Sequence, residues 1–149
     1  MSRPEFVVDA SVAVKWILPE EGQEQAMRLQ EMYQDEELDL VAPHLLISEV
    51  GNVLWKRVRR GELTSQSAHR CFEQLLCDCP ILLDSPAVQT TSLHLALAHN
   101  RTVYDCLYLA WALEERCDLI TADEKFFRSV RAAFRCVRLL SDFDSRARD

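Results

Sequence analysis

His99-Asn-Arg-Thr-Val-Tyr-Asp-Cys-Leu-Tyr-Leu-Ala-Trp-Ala-Leu-Glu-Glu-Arg-Cys-Asp-Leu-Ile-Thr-Ala-Asp-Glu-Lys-Phe-Phe127 is the stretch that decides the fold. Thr102, followed three residues later by Asp105 and then by an apolar run, is a helix-opening box in which hydroxyl and carboxylate can each take an unpaired backbone N–H. From Leu107 to Leu113 the run carries no charge, so the helix that starts here is covered on most sides and belongs to the core. Residues 117–121, Cys-Asp-Leu-Ile-Thr, are too few for a helix and read as a buried strand that delivers Ala122 and Asp123 at its C-terminal end. Asp105 and Asp123 thus stand at the ends of buried elements, where open α/β sheets keep their sites.

Outward from this stretch, short apolar runs alternate with helical patterns. Residues 5–9 form a first strand ending on Asp9, Ala10-Ser11 turns the chain, and 12–18 is a short apolar helix stopped by Pro19. Residues 20–33 repeat apolar side chains at helical spacing with charge between them, and 34–39 is a solvated acidic loop. A second strand at 40–42 closes on Pro43, and a helix over 44–59 precedes Gly61. Thr64 or Ser65 opens another helix, 81–84 is a strand, and Ser85-Pro86 starts a helix that runs towards His99. Beyond the central stretch come a helix over 124–134, a last strand over 136–140 and a polar tail, 141–149, expected to fray. The pattern predicts a single α/β domain over 1–149, a parallel sheet of about five strands flanked by helices on both faces.

A chain of 149 residues is long enough to bury a real core, and 3 Gly and 5 Pro leave no room for a low-complexity linker. Met1-Ser2-Arg3-Pro4 leads straight into a strand and Lys15 breaks the next apolar run, so neither a signal peptide nor a membrane span is expected, and the expected location is cytoplasmic. The 6 cysteines lack thioredoxin-like or zinc spacing and read as reduced core residues, and the 4 histidines lack metal-ligand spacing. A net charge of −7 argues against holding nucleic acid by bulk positive charge. It leaves room for a nucleic-acid enzyme, because acids gathered in one site and compensated by a divalent ion count towards the same total.

Four acids, Asp9, Glu49, Asp105 and Asp123, share a place at the edge of, or inside, an apolar element. Glu49 lies among the core-facing positions of its helix, with Asn52 on the same face, and a carboxylate there needs a partner. Convergence would make an oxygen-rich pocket of like charges, which repels itself unless protons or hard cations neutralise it, and such ligands suit Mg²⁺ or Mn²⁺ rather than zinc. Taken singly, each acid could be a helix cap or a solvated residue. A haloacid-dehalogenase-type phosphatase fails at Ala10-Ser11, because it needs a second Asp two positions after Asp9. A receiver domain would supply a pair of early acids where this chain supplies one, and three scattered glycines form no phosphate-cradling loop.

These residues resemble the PIN-domain ribonucleases, specifically the VapC-type toxins of prokaryotic toxin–antitoxin pairs. The resemblance is carried by Val7-Val8-Asp9-Ala10-Ser11, by Pro43 through Leu54 with Glu49 and Asn52, by Tyr104-Asp105-Cys106-Leu107-Tyr108-Leu109-Ala110 and by Leu119-Ile120-Thr121-Ala122-Asp123, and the Arg59-to-Thr64 link is also similar. It implies that Asp9, Glu49, Asp105 and Asp123 are the catalytic, Mg²⁺- or Mn²⁺-binding quartet. Ser11, Asn52 and Thr121 would match polar positions that order the site. It further implies RNA as substrate, a small antitoxin as partner and a homodimer. The alternative is a PIN-like binding or scaffold domain without catalysis.

Two expectations are specific to this chain. An acidic protein must attract a polyanion through a local patch, and Lys56, Arg57, Arg59 and Arg60, with Lys15 and Arg101, are the candidates for RNA binding. Trp16, Ile17, Leu18 and Tyr33 offer more apolar surface than one small helix pair buries, which is the local motive for a dimer.

Overall fold

A computed structural model describes residues 2–143. Its elements, in chain order, are β1 (Glu5–Val8), α1 (Ala10–Ile17), α2 (Gln23–Gln34), β2 (Asp39–Pro43), α3 (Leu45–Arg59), α4 (Ser65–Cys77), β3 (Ile81–Leu83), α5 (Pro86–His99), α6 (Val103–Glu115), β4 (Asp118–Thr121), α7 (Glu124–Val130) and β5 (Val137–Leu139). The five strands pair in parallel in the order β3-β2-β1-β4-β5. From the central β1 the chain moves outward to β2 and β3, then crosses to β4 on the other side. The order therefore reverses between β1 and β4, and a crevice opens beyond the carboxyl ends of those two strands. Val8 stands opposite Ile120 in that pair, so Asp9 and Asp123 leave the sheet at similar heights.

Burial explains why the sheet is a middle layer. Val7 and Val8 are neighbours and both 0% exposed, as are Leu119, Ile120 and Thr121. Because successive strand side chains point to opposite faces, both faces of the sheet are covered. The helix of the central stretch, α6, lies against β1, β2 and β4 with α5 packed on it, while α1 gathers α2, α3 and α4 and touches β4. Every α6 residue from Cys106 to Ala112 is buried, as its uncharged run requires.

The structure moves several expected boundaries. The first helix starts at Ala10 rather than 12, because Asp9 already caps it by accepting from Ser11 N–H at 3.1 Å. At Thr102 only half of the expected box forms: its hydroxyl accepts from Asp105 N–H at 3.1 Å, but the Asp105 carboxylate turns to Arg101. The last helix ends at Val130, whose carbonyl takes the N–H groups of both Ala133 and Phe134 in a closing turn. Residues 141–143 are not frayed. Leu140–Asp142 form a 3-10 turn, and Phe143, 4% exposed, packs edge-on against Phe6 with ring centroids 5.8 Å apart. The rest of that tail, 144–149, lies outside the described residues.

Two further expectations change. Trp16 and Leu18 are buried, with the Trp16 indole N–H donating to Ala26 O at 2.8 Å, and Ile17 and Tyr33 are half-buried. They are internal packing and supply no dimer surface. The large exposed apolar side chains are instead Trp55, Leu76, Ile81, Leu93, Leu97, Tyr104 and Leu113. All six cysteines are unpaired, but only Cys106 is fully buried, and Cys77 at the end of α4 is exposed. Among the described residues no helix is long and apolar enough to cross a membrane.

Candidate active site

The crevice between β1 and β4 opens into a pocket of about 570 Å³ lined by Asp9, Glu49, Asp105 and Asp123 together with Ser11 and Asn52. Each acid arrives by a different local device. Asp9 caps α1 and Asp123 caps α7, the latter accepting from Phe126 N–H at 3.0 Å. Asp105 lies in the first turn of α6, and Glu49 is midway along α3, where Glu49, Asn52, Val53 and Lys56 recur at helical spacing on the pocket face.

A hydroxyl clamp holds the strand side together. Ser11 Oγ donates to Asp9 Oδ1 at 2.5 Å and accepts from Ala122 N–H at 2.8 Å. Thr121 Oγ1 donates to Asp9 Oδ2 at 2.5 Å and accepts from Asp123 N–H at 3.1 Å. Both Asp9 oxygens are thus satisfied by hydroxyls that also pin the turn after β4, and the ends of β1 and β4 become one rigid unit. Burial nevertheless dominates: Asp9 is 8% exposed, and desolvation lifts its carboxyl to about 6, against the lowering effect of the Ser11 and Thr121 hydrogen bonds and with a further push from the Asp123 charge.

On the helix side, Tyr108 of α6, 3% exposed, donates its phenolic O–H to Glu49 Oε1 at 2.7 Å. Partial burial raises the Glu49 carboxyl, the Tyr108 hydrogen bond lowers it, and the Asp105 charge raises it. Burial, then the Glu49 charge, keep the Tyr108 phenol far above its ordinary range, so it stays a proton donor. Asp105 pairs with Arg101 at 3.3 Å, and the Arg101 guanidinium sits 5.7 Å over the Phe126 ring. Arg101 Nε is buried without a hydrogen-bond partner.

The acids therefore sense one another in pairs, Asp9 with Asp123 and Glu49 with Asp105. Among the described residues, however, no three acid, His or Cys side chains are gathered closely enough to hold one ion, since each of the four is turned to its own protein partner. The donor set, four carboxylates with an amide and hydroxyls beside them, is all oxygen and of the kind that suits a hard divalent cation. To serve one ion, Glu49 can keep Tyr108 on Oε1 and offer Oε2, whereas Asp105 has to share its carboxylate with Arg101 or leave it.

The six basic candidates separate. Lys15 and Lys56 line the pocket. Lys15 is held by Glu20 at 3.2 Å, and Glu20 also binds Arg57 at 2.8 Å, which reaches Glu62 at 3.4 Å. Arg59 stacks 5.1 Å over the Trp55 ring and, like Arg60, is exposed outside the pocket lining. Helical geometry accounts for this, because Lys56 is seven residues from Glu49 on the same face whereas Arg57, Arg59 and Arg60 project elsewhere. Tyr108 and Glu20 escaped sequence reasoning. The available signal for Tyr108 was its place three residues after Asp105 in an otherwise apolar run, since a buried tyrosine seeks a partner for its O–H.

Comparison with known proteins agrees with this fold. The PIN domain model matches residues 6–132. The ribonuclease VapC3 of Pyrobaculum aerophilum is 39% identical over 123 residues, which cover 80% of this chain and 90% of that protein. The exonuclease VapC9 of the same organism is 31% identical over 97 residues, covering 65% and 71% of the two chains. The crystal structure of PAE2754 from Pyrobaculum aerophilum superposes with a TM-score of 0.71 at 25% identity, covering 97% of this chain and 96% of that one.

Proposed function

The chain belongs to the PIN-domain family, in its VapC-type branch, and on that premise we propose that it is a Mg²⁺- or Mn²⁺-dependent endoribonuclease acting as the toxin of a toxin–antitoxin pair. The observation that carries this reading is the set of four carboxylates around one pocket at the switch point of the sheet. Asp9, Glu49, Asp105 and Asp123 would hold the ion. Bound there, a divalent cation supplies a water of lowered pKa and offsets the charge that develops on a phosphoryl group. Ser11 and Thr121 keep Asp9 aimed into the pocket, Tyr108 keeps Glu49 there, and Asn52 offers an amide to the substrate side. Lys56, exposed at the rim, and Lys15 would meet the RNA phosphates at the pocket, with Arg59 and Arg60 further out along the approach.

The same reading carries a small antitoxin partner, a cytoplasmic location and a homodimer. The dimer proposal now rests on Leu93 and Leu97 of α5, 50% and 76% exposed. End-labelled and circularised RNA test the activity together. Cleavage of both with Mg²⁺ or Mn²⁺, none with EDTA and none by Asp105→Asn is the expected result. Terminal mononucleotides from linear RNA and an intact circle would make it an exonuclease, and no cleavage of either with metal would favour a binding module.

A further inference from the structure

A second cavity, of about 260 Å³, adjoins the acid pocket and shares Leu45 and Tyr104 with it. Its inner wall is apolar, made by Leu83, Leu107 and Trp111, and its rim carries the exposed polar side chains of His44, Asp84 and Gln89. Tyr104, 63% exposed, stands between the two cavities as an aromatic side chain open to solvent. Trp111 lines the cavity at 6% exposure, and its indole N–H, bonded to no group among the described residues, keeps contact with solvent. Such an N–H can take an acceptor from a bound molecule.

We propose that this cavity seats one unpaired nucleobase of the RNA whose phosphate lies at the acids, a site that rests on the ribonuclease reading. Tyr104 supplies the stacking face. A base flanking the scissile phosphate passes over Tyr104 into the cavity, where a base carbonyl or ring nitrogen gives the Trp111 N–H its acceptor. Gln89 and Asp84 at the rim are of the types that read base edges, an amide with both donor and acceptor and a carboxylate that accepts from an exocyclic amine. Asp84 also repels a phosphate, which favours a base over a second backbone contact. The consequence is a preference for particular bases next to the cut, set by Gln89 and Asp84.

The test uses the full chain labelled with ¹⁵N and four RNA tetranucleotides, one per base, kept whole by leaving out Mg²⁺ and Mn²⁺, alongside cleavage of matched RNAs with a normal or an abasic nucleotide beside the cut. The Trp111 indole signal, assigned with Trp111→Phe, should shift, while that of Trp16, bonded to Ala26 O, stays. Tyr104→Ala should lower kcat/KM about ten-fold on normal RNA and leave the abasic RNA unaffected, the size expected of one base–aromatic stack. Gln89→Ala should flatten the differences among the four bases. If the Asp9 and Asp123 amides shift while Trp111 does not, or if Tyr104→Ala slows both RNAs equally, the base site is wrong and the ribonuclease reading stands. If the wild type cleaves no RNA, that reading falls and the base site stands or falls with the Trp111 shift alone. A Trp111 signal that no oligonucleotide moves overturns the proposal and leaves the cavity to a protein partner.

Discussion

The strand-borne pair of acids and the helix-borne pair are held by different means. Asp9 is clamped by two hydroxyls that also fix the turn carrying Asp123, so this half is set by the sheet itself. Glu49 and Asp105 ride on α3 and α6, are half-buried, and lean on Tyr108 and Arg101. The first half resembles a preformed wall and the second a pair of side chains able to swing. A site of this kind can stay folded without its cation, because its charge is offset on one side by the Ser11 and Thr121 hydroxyls on Asp9 and on the other by Tyr108 and Arg101.

The largest expected effect removes either half's charge. Asp9→Asn and Asp105→Asn should each lower RNA cleavage by at least about 10²-fold, the scale of losing one electrostatic contact at a reacting centre. Cleavage retained by Asp105→Asn alone would place the reaction on the strand side only. The halves should then separate by pH. Asp9 has a folded-state pKa of about 6 against 3.8 for the free side chain, so between those values the folded protein holds a proton that the unfolded chain has released. Stability therefore falls as pH rises from about 4 to about 6, by roughly 3 kcal/mol at most for this one group, at 1.36 kcal/mol per pKa unit. Glu49, also raised, adds in the same direction. In metal-free denaturation, Asp9→Asn should flatten that descent and Asp105→Asn should keep most of it. Equal slopes in all three proteins would dissolve the distinction.

Much of this was legible in the sequence for a physical reason. An acid at the end of an apolar strand, or inside an apolar helix face, is conspicuous, and Asp9, Glu49, Asp105 and Asp123 all announce themselves so. Alternating apolar runs likewise predict a parallel sheet. What the chain hides is pairwise geometry across elements. The bond from Tyr108 to Glu49 joins residues 59 apart, and nothing local to α3 names its donor. The basic end of α3 reads as one patch in a line of letters, yet the helix turns Arg57 towards Glu20 and only Lys56 into the pocket. The tail reads as polar, yet Phe143 finds Phe6 on the central strand of the sheet.

Smaller effects probe the swinging half. Tyr108→Phe deletes the donor to Glu49 while keeping the ring, and should lower kcat about ten-fold with little change in KM and cost about 1 kcal/mol of stability, the usual net worth of a hydrogen bond. A loss of stability with unchanged kcat would make Tyr108 merely structural. Smallest of all, Arg101→Gln frees Asp105 from its ion pair and should tighten Mn²⁺ binding about two- to five-fold, within the range of partly exposed pairs. Weaker binding would mean that Arg101 positions Asp105 instead of competing for it.

One cation shared by both halves is the central claim, and calorimetric titration of Mn²⁺ tests it directly. The wild type and Asp9→Asn, Glu49→Gln, Asp105→Asn and Asp123→Asn should be compared at one pH near 7. Affinity weakened at least about ten-fold in every variant, with wild-type stability rising by about 2.7 kcal/mol at a hundred times the dissociation constant, is the predicted result. Wild-type affinity in either Glu49→Gln or Asp9→Asn would contradict it, because one half of the pocket would then bind the ion without the other.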